Sequence, residues 1–214
     1  MKKEVRYFTI GNSYGGNQDW FTNIVMRIGG CAAATACDSC IYFAKEKGLS
    51  SLYPLGEVDR LDREAYKTFS QKMKPYIRPR MSGVKRLSWY IDGMEKYIED
   101  HQRKTDGRRL ALEGFSGDRS YEEAVQMVKS QLEQELPIPY LMLQHKDKAL
   151  FRDFIWHWFL ITGYEESPEG IYLLAATYGK KHRLPFWKLW DTGSEEKGGM
   201  IRYSFREKEV GSLR

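Results

Sequence analysis

The sequence predicts an α+β domain, with helices filling the front of the chain and antiparallel strands the back. Three observations carry this. Apolar residues recur at i,i+4 steps in the first 135 residues, short aromatic and aliphatic runs follow Pro137, and the helices do not alternate with those runs as a doubly wound sheet requires. With 214 residues, 42% apolar and 14% aromatic, the chain can fill a packed core. The expected organisation is one domain over 1–214. A mainly helical lobe at 1–135 carries a helical elaboration at 60–105 and packs on a mainly antiparallel β lobe at 136–214.

The chain opens in loops, with Gly11, Asn12, Gly15, Gly16 and Asn17 close together and Gly29-Gly30 making a second turn. Gly and Asn take positive φ at little cost there. Residues 31–47 hold good helix formers, a basic last turn and then Gly48, which predicts a helix opening at Cys31. Ala65, Phe69, Met73 and Ile77 are the stripe of a helix over 63–77; Val84, Leu87, Ile91, Met94 and Ile98 are that of a helix over 84–98. Ser120 with Glu123 is a capping box opening a helix through Leu136, stopped by Pro137 and Pro139. Strands are expected at 140–144, 155–162, 171–176 and 200–205, divided by turn residues such as Ser167-Pro168-Glu169-Gly170.

The net charge of +5 is a modest excess that could favour anionic partners without demanding nucleic acid. No apolar run reaches the roughly 20 residues that a bilayer span needs, and the first ten residues lack the apolar core of a secretion signal. Three cysteines cannot all pair within one chain, so a reducing, cytoplasmic setting is expected.

Cys31 follows a Gly-Gly turn and opens a helix, where unpaired backbone N–H groups and the helix dipole favour a thiolate. At about 100° per residue Cys37 and Cys40 share an apolar face with Ile41 and Ala44, whereas Cys31 lies with Thr35, Asp38 and Tyr42. The first two read as core and Cys31 as a candidate nucleophile. Such a thiol needs a base. His157, between Trp156 and Trp158 at the start of an apolar strand, is the histidine whose setting would hold an imidazole firmly. His101 and His182 fall in charged stretches expected to be solvated, and His145 ends the preceding strand. In the loop ahead of the helix, Asn17-Gln18 offers a side-chain amide that could donate to an oxyanion together with the Cys31 N–H. A buried thiol, a core imidazole and a capping amide are the plainer readings taken singly; none explains the joint pattern.

That pattern resembles the papain-like cysteine peptidases, and within them the branch typified by bacteriocin-processing domains. The resemblance rests on Gln18, on Gly30-Cys31-Ala32-Ala33 opening a helix, on the step to Pro137-Ile138-Pro139, and on His157-Trp158-Phe159-Leu160-Ile161-Thr162-Gly163-Tyr164. It covers residues 14–47 and 120–180. It implies a Cys on a long helix of one lobe meeting a His on a strand of the other across a substrate cleft. By the same resemblance Cys31 is the nucleophile, His157 the base and Gln18 the oxyanion donor of a hydrolase, or an acyl-transfer relative, acting on a peptide or related amide without cofactor or metal. The step from Gln18 to Cys31 is longer than the family's. Where the family places an orienting Asn or Asp, this chain reads Ala176-Thr177-Tyr178-Gly179. Three options follow: a Cys–His dyad, orientation of His157 by Thr177 or a distant residue such as Asp191, or an inactive fold that only binds.

Other chemistries fit less well. Cys37-Asp38-Ser39-Cys40 lies inside the expected helix without a second pair, unlike a zinc site, and two turns in, unlike a thioredoxin-type pair. No Gly-Lys-Ser/Thr follows the loop at 11–16, which excludes a Walker phosphate loop. That loop is expected to border the cleft, with Tyr14 and Trp20 free to pack on substrate or on the Cys31 helix. The rival of a different class is a nucleic-acid module: residues 74–86 hold five basic side chains and no acid, and more follow through 109. No known nucleic-acid motif accompanies them, so a solvated surface is the expected reading.

Overall fold

The computed structural model describes residues 1–80 and 82–206. In chain order it runs through β1 (Lys2–Glu4), β2 (Thr9–Ile10), β3 (Ser13–Tyr14), α1 (Ile24–Gly29), α2 (Cys31–Glu46), α3 (Arg63–Met73) and α4 (Leu87–His101). There follow β4 (Arg109–Ser116), α5 (Tyr121–Glu133), β5 (Ile138–Met142), α6 (Lys148–Phe151), β6 (His157–Ser167), β7 (Gly170–Thr177), β8 (Lys180–Pro185), α7 (Phe186–Trp190) and β9 (Gly198–Arg206). The fold is α+β with an antiparallel sheet, in the order β4-β9-β5-β6-β7-β8, with β1 pairing along the far half of β6. Among the described residues no helix is long and apolar enough to cross a membrane.

The expected elements are all present, and their shifted ends have physical causes. α3 stops at Met73 rather than residue 77 because Pro75 has no N–H to give the Gln71 carbonyl, which breaks the i→i−4 ladder although Lys74 still has helical dihedrals. α4 begins at Leu87 because the Val84 carbonyl accepts the Trp158 indole N–H at 2.6 Å instead of starting the helix. Four strands, β1 to β4, come from the front of the chain, where only loops and helices are expected: β1 and β4 join the large sheet, and β2 and β3 pair with each other. β4 pairs with β9 over its whole length, and there its Glu113-Gly114 step breaks the period-2 signal.

α2 is buried from Cys31 to Ala44 except at Ala34, because β6 covers one side and α3 another. A helix enclosed on all sides can hold polar groups only if they find partners. Ser39 returns its hydroxyl to the Thr35 carbonyl at 2.9 Å, and Asp38 gathers three donors described below. The β6 end of the core is closed by Trp158, which stacks on Tyr90 at 4.6 Å and so ties α4 to the strand that begins with His157.

The capping box forms as the sequence predicts: the Glu123 amide donates to Ser120 Oγ, and Glu123 accepts from the Ser120 amide. Ser120→Ala should cost about 1 kcal/mol, a fall in Tm of roughly 2–4 °C by calorimetry. An unchanged Tm would mean that α5 draws nothing from its cap.

Candidate active site

The Cys31 side chain sits at the first turn of α2 and is 6% exposed. Its sulfur lies against the backbone N–H groups of Trp158, Ala32 and Cys31 itself, so the helix start meets the first residues of β6 directly. Those N–H groups stabilise a thiolate, but burial opposes them more strongly and pushes the thiol above its ordinary 9.0. The thiolate expected from the helix end is therefore absent from this state. Cys37 and Cys40 are fully buried core thiols, raised further by desolvation.

His157 opens β6 and is 4% exposed. A hydrogen bond of 2.7 Å joins its Nε2 to Thr177 Oγ1 on the neighbouring strand, and Tyr178 lies flat on the ring at 4.6 Å with 4° between planes. The Tyr178 hydroxyl donates to the Asp153 carbonyl at 3.2 Å and stands 3.3 Å from Nδ1. Both nitrogens are satisfied in the neutral ring, and desolvation, aided by His182, lowers the His157 pKa to about 3. Cys31 and His157 share no hydrogen bond in this state.

Of the residues considered as partners of His157, Thr177 is the one that reaches it. Ala176 pairs with Leu160, so it faces the side of the sheet opposite His157, while Thr177 one residue on reaches the imidazole. Asp191 is exposed at the end of α7 and makes no bond to His157. His145 is a satisfied core side chain between the Lys188 carbonyl and the Asp147 amide. His182 is not solvated: it is partly buried, stands edge-on to Phe154, and its Nε2 has no partner.

Gln18 reaches the site through a loop fastened at both ends. The Gly16 amide donates to both Asp38 oxygens at 3.1 and 3.2 Å, the Asn17 amide to the Tyr178 carbonyl at 3.3 Å, and the Gly179 amide to the Gly16 carbonyl at 3.1 Å. Gly16 is obligatory, since a Cβ there would overlap the Tyr66 ring. Gln18 gives one amide proton to the Arg27 carbonyl at 3.1 Å and keeps the other. Beside it a cavity of about 10 Å³, room for roughly one water, is bounded by Gln18, Cys31, Asp38, Trp158, Thr177 and Tyr178. Tyr14 and Trp20 are committed elsewhere: Tyr14 bonds Glu4 and Thr162, and Trp20 packs edge-on against Tyr66.

Sequence reasoning placed Asp38 on the Cys31 face but assigned it no role. Its carboxylate is 5% exposed and accepts from Tyr7 at 2.6 Å, Tyr66 at 2.8 Å and the Gly16 amide. Burial raises its pKa to about 6 against those lowering hydrogen bonds. Tyr178, with φ 52, and Gly179, with φ 68, form the two-residue turn between β7 and β8. Asn-Gly is the common choice for such a type I′ turn, so Tyr in place of Asn ahead of Gly179, between two apolar or basic runs, is the signal the sequence itself offers for this turn.

Among the described residues no group of three or more His, Cys, Asp or Glu side chains is placed to hold a metal. In the basic segment Arg80 and Arg86 both lie over the Trp89 ring, at 4.2 and 5.3 Å. No family model and no curated protein matches this chain.

Two acid-range slopes of opposite sign follow from these groups. His157 falls from 6.5 to about 3 on folding, so its contribution is present above pH 6.5 and lost as pH drops towards 3. Asp38 rises from 3.8 to about 6, so its contribution is present below pH 3.8 and lost as pH climbs through 6. Each slope is about 1.4 kcal/mol per pH unit, and they nearly cancel between pH 4 and 6. Asp38→Asn should therefore lose stability on acidification from pH 6.5 to 4 more steeply than the parent by urea titration; parallel curves would refute the Asp38 assignment. Tyr178→Asn, which suits the turn backbone and uncovers the ring, should move the His157 titration read by NMR up from about 3 towards 6.5.

Proposed function

We propose that this chain is a papain-like thiol hydrolase, or an acyl-transfer relative, acting on a peptide or related amide. Cys31 attacks the carbonyl, His157 takes the thiol proton and returns it to the leaving amine, and Gln18 with the Cys31 N–H receives the charge of the tetrahedral oxyanion. The observation that carries this reading is the meeting of the Cys31 thiol, at a helix start, with the Trp158 amide one residue from His157. The Thr177 bond to the imidazole and the attachment of the Gln18 loop to the Tyr178 turn add to it. The neutral thiol and neutral imidazole are then a resting form, and productive proton transfer requires the ring to leave Tyr178 for the thiol.

A second reading, a papain-like fold that binds peptide without cleaving it, draws on the same neutral pair and on the Tyr178 ring that covers His157.

Incubation with a random peptide library, read by mass spectrometry, separates the two. Hydrolysis by the parent, abolished in Cys31→Ala and reduced at least about 100-fold in His157→Ala, supports catalysis. Iodoacetamide should modify Cys31 before Cys37 or Cys40, with a rate still climbing above pH 9 and no plateau below pH 7. Peptide binding without hydrolysis would leave the binding reading, and first labelling at Cys37 or Cys40 would remove Cys31 from the reaction.

A further inference from the structure

A groove of about 370 Å³ opens on Cys31 and is lined by Ile28, Gly29, Ser82, Gly83, Lys85 and Trp156. Its walls carry two features that folding does not explain. The first is apolar exposure. Large exposed hydrophobic side chains are few among the described residues, and Ile28 at 59% and Trp156 at 41% are two of them, with Ile24 one turn before Ile28 on α1 at 70%. Single exposed apolar side chains need no explanation, but a cluster beside a reactive thiol marks a binding surface. Trp156 also holds φ at 55, a left-handed conformation that a bulky residue adopts only under strain. Its indole stays at the groove, more exposed than any other tryptophan of the core region around it.

The second feature is charge. Lys85 is the charged side chain of the lining. Lys67 and Lys96 are paired with Glu64 and Asp100, whereas Lys85 has no ion-pair partner among the described residues. Arg80 and Arg86 add positive charge beside it from their places over Trp89. Asp19 and Asp153, exposed and close enough to act on the Tyr178 hydroxyl, have the exposed bases Arg152 and Lys180 near them, so no such single-sign surface faces Tyr178. The thiol thus opens onto a basic, apolar groove.

We propose that this groove recognises a peptide segment in which a bulky apolar side chain neighbours a carboxylate, the apolar group resting on Ile28 and Trp156 and the carboxylate on Lys85. The inference rests on the reading of Cys31 as the reacting thiol, and it names the substrate class of that site. A segment carrying a cation in place of the carboxylate is disfavoured in the groove.

The test reads recognition separately from turnover. Rates of Cys31 modification by anionic iodoacetate and neutral iodoacetamide are measured, and their ratio is divided by the same ratio for glutathione. The normalised ratio should exceed one in the parent and fall by about tenfold in Lys85→Glu. Millimolar acetyl-Phe-Glu-amide should slow iodoacetamide labelling more than acetyl-Phe-Lys-amide. That protection should vanish in Trp156→Gly, which relieves the backbone while removing the indole and so keeps or raises Tm. A normalised ratio of one that Lys85→Glu leaves unchanged, or equal protection by the two dipeptides, overturns the inference. Preferential protection by the Glu peptide without any library hydrolysis would defeat only the hydrolase reading; hydrolysis without that preference would defeat only this one.

Discussion

A carboxylate in the middle of a helix enclosed on all sides must be met by donors, and the donors that meet Asp38 fasten the candidate site together. Tyr7 arrives from the segment after β1, Tyr66 from α3, and the Gly16 amide from the loop after β3. Burying that charge unpaired would cost several kcal/mol. Each donor therefore holds its own segment against α2. Because Gly16 is one of them, Gln18 two residues on is brought beside Cys31, and Asn17 crosses to the Tyr178 turn.

From that anchor the site is built by two rigid elements. The start of α2 carries the thiol and the start of β6 carries the imidazole, and they meet at the Trp158 amide. Trp158 is the hinge of this contact in the packing sense: its indole is bonded to Val84 and stacked on Tyr90, so the strand end cannot drift from the helical layer. The same burial that makes the contact durable suppresses charge on both partners. Desolvation raises the thiol and lowers the imidazole, and the Thr177 and Tyr178 hydroxyls flank the two ring nitrogens. A tightly packed site thus rests as a neutral pair, and the strain held at Tyr178 and Trp156 falls on the two side chains that border the thiol's surroundings.

Most of the secondary structure was legible because it is local. The 31–47 helix, the capping box at Ser120 and Glu123, and four of the five strands after Pro137 depend on periods, caps and turn residues that neighbouring positions supply, whereas the basic β8 at Lys180–Pro185 carries no such apolar pattern. β4 was not legible, since a strand interrupted by Glu113-Gly114 declares itself only when β9 pairs with it. The positions of Cys31 and His157 in their elements were legible in the same local sense.

The sequence by itself determined that a thiol would open a helix after a Gly-Gly turn and that a histidine would open an apolar strand. Tertiary structure decided which way those groups face and what charge they carry. Strand parity turns Ala176 away from His157 and brings Thr177 to it, a fact set by the Leu160 register. Burial, which no window of sequence reports, outweighs the helix end at Cys31 and makes an unremarked Asp38 the pin of the loop bearing Gln18. The reason is one of range: propensity and periodicity act over a few residues, whereas desolvation and hydrogen-bond partnership depend on segments that meet only once the chain has folded.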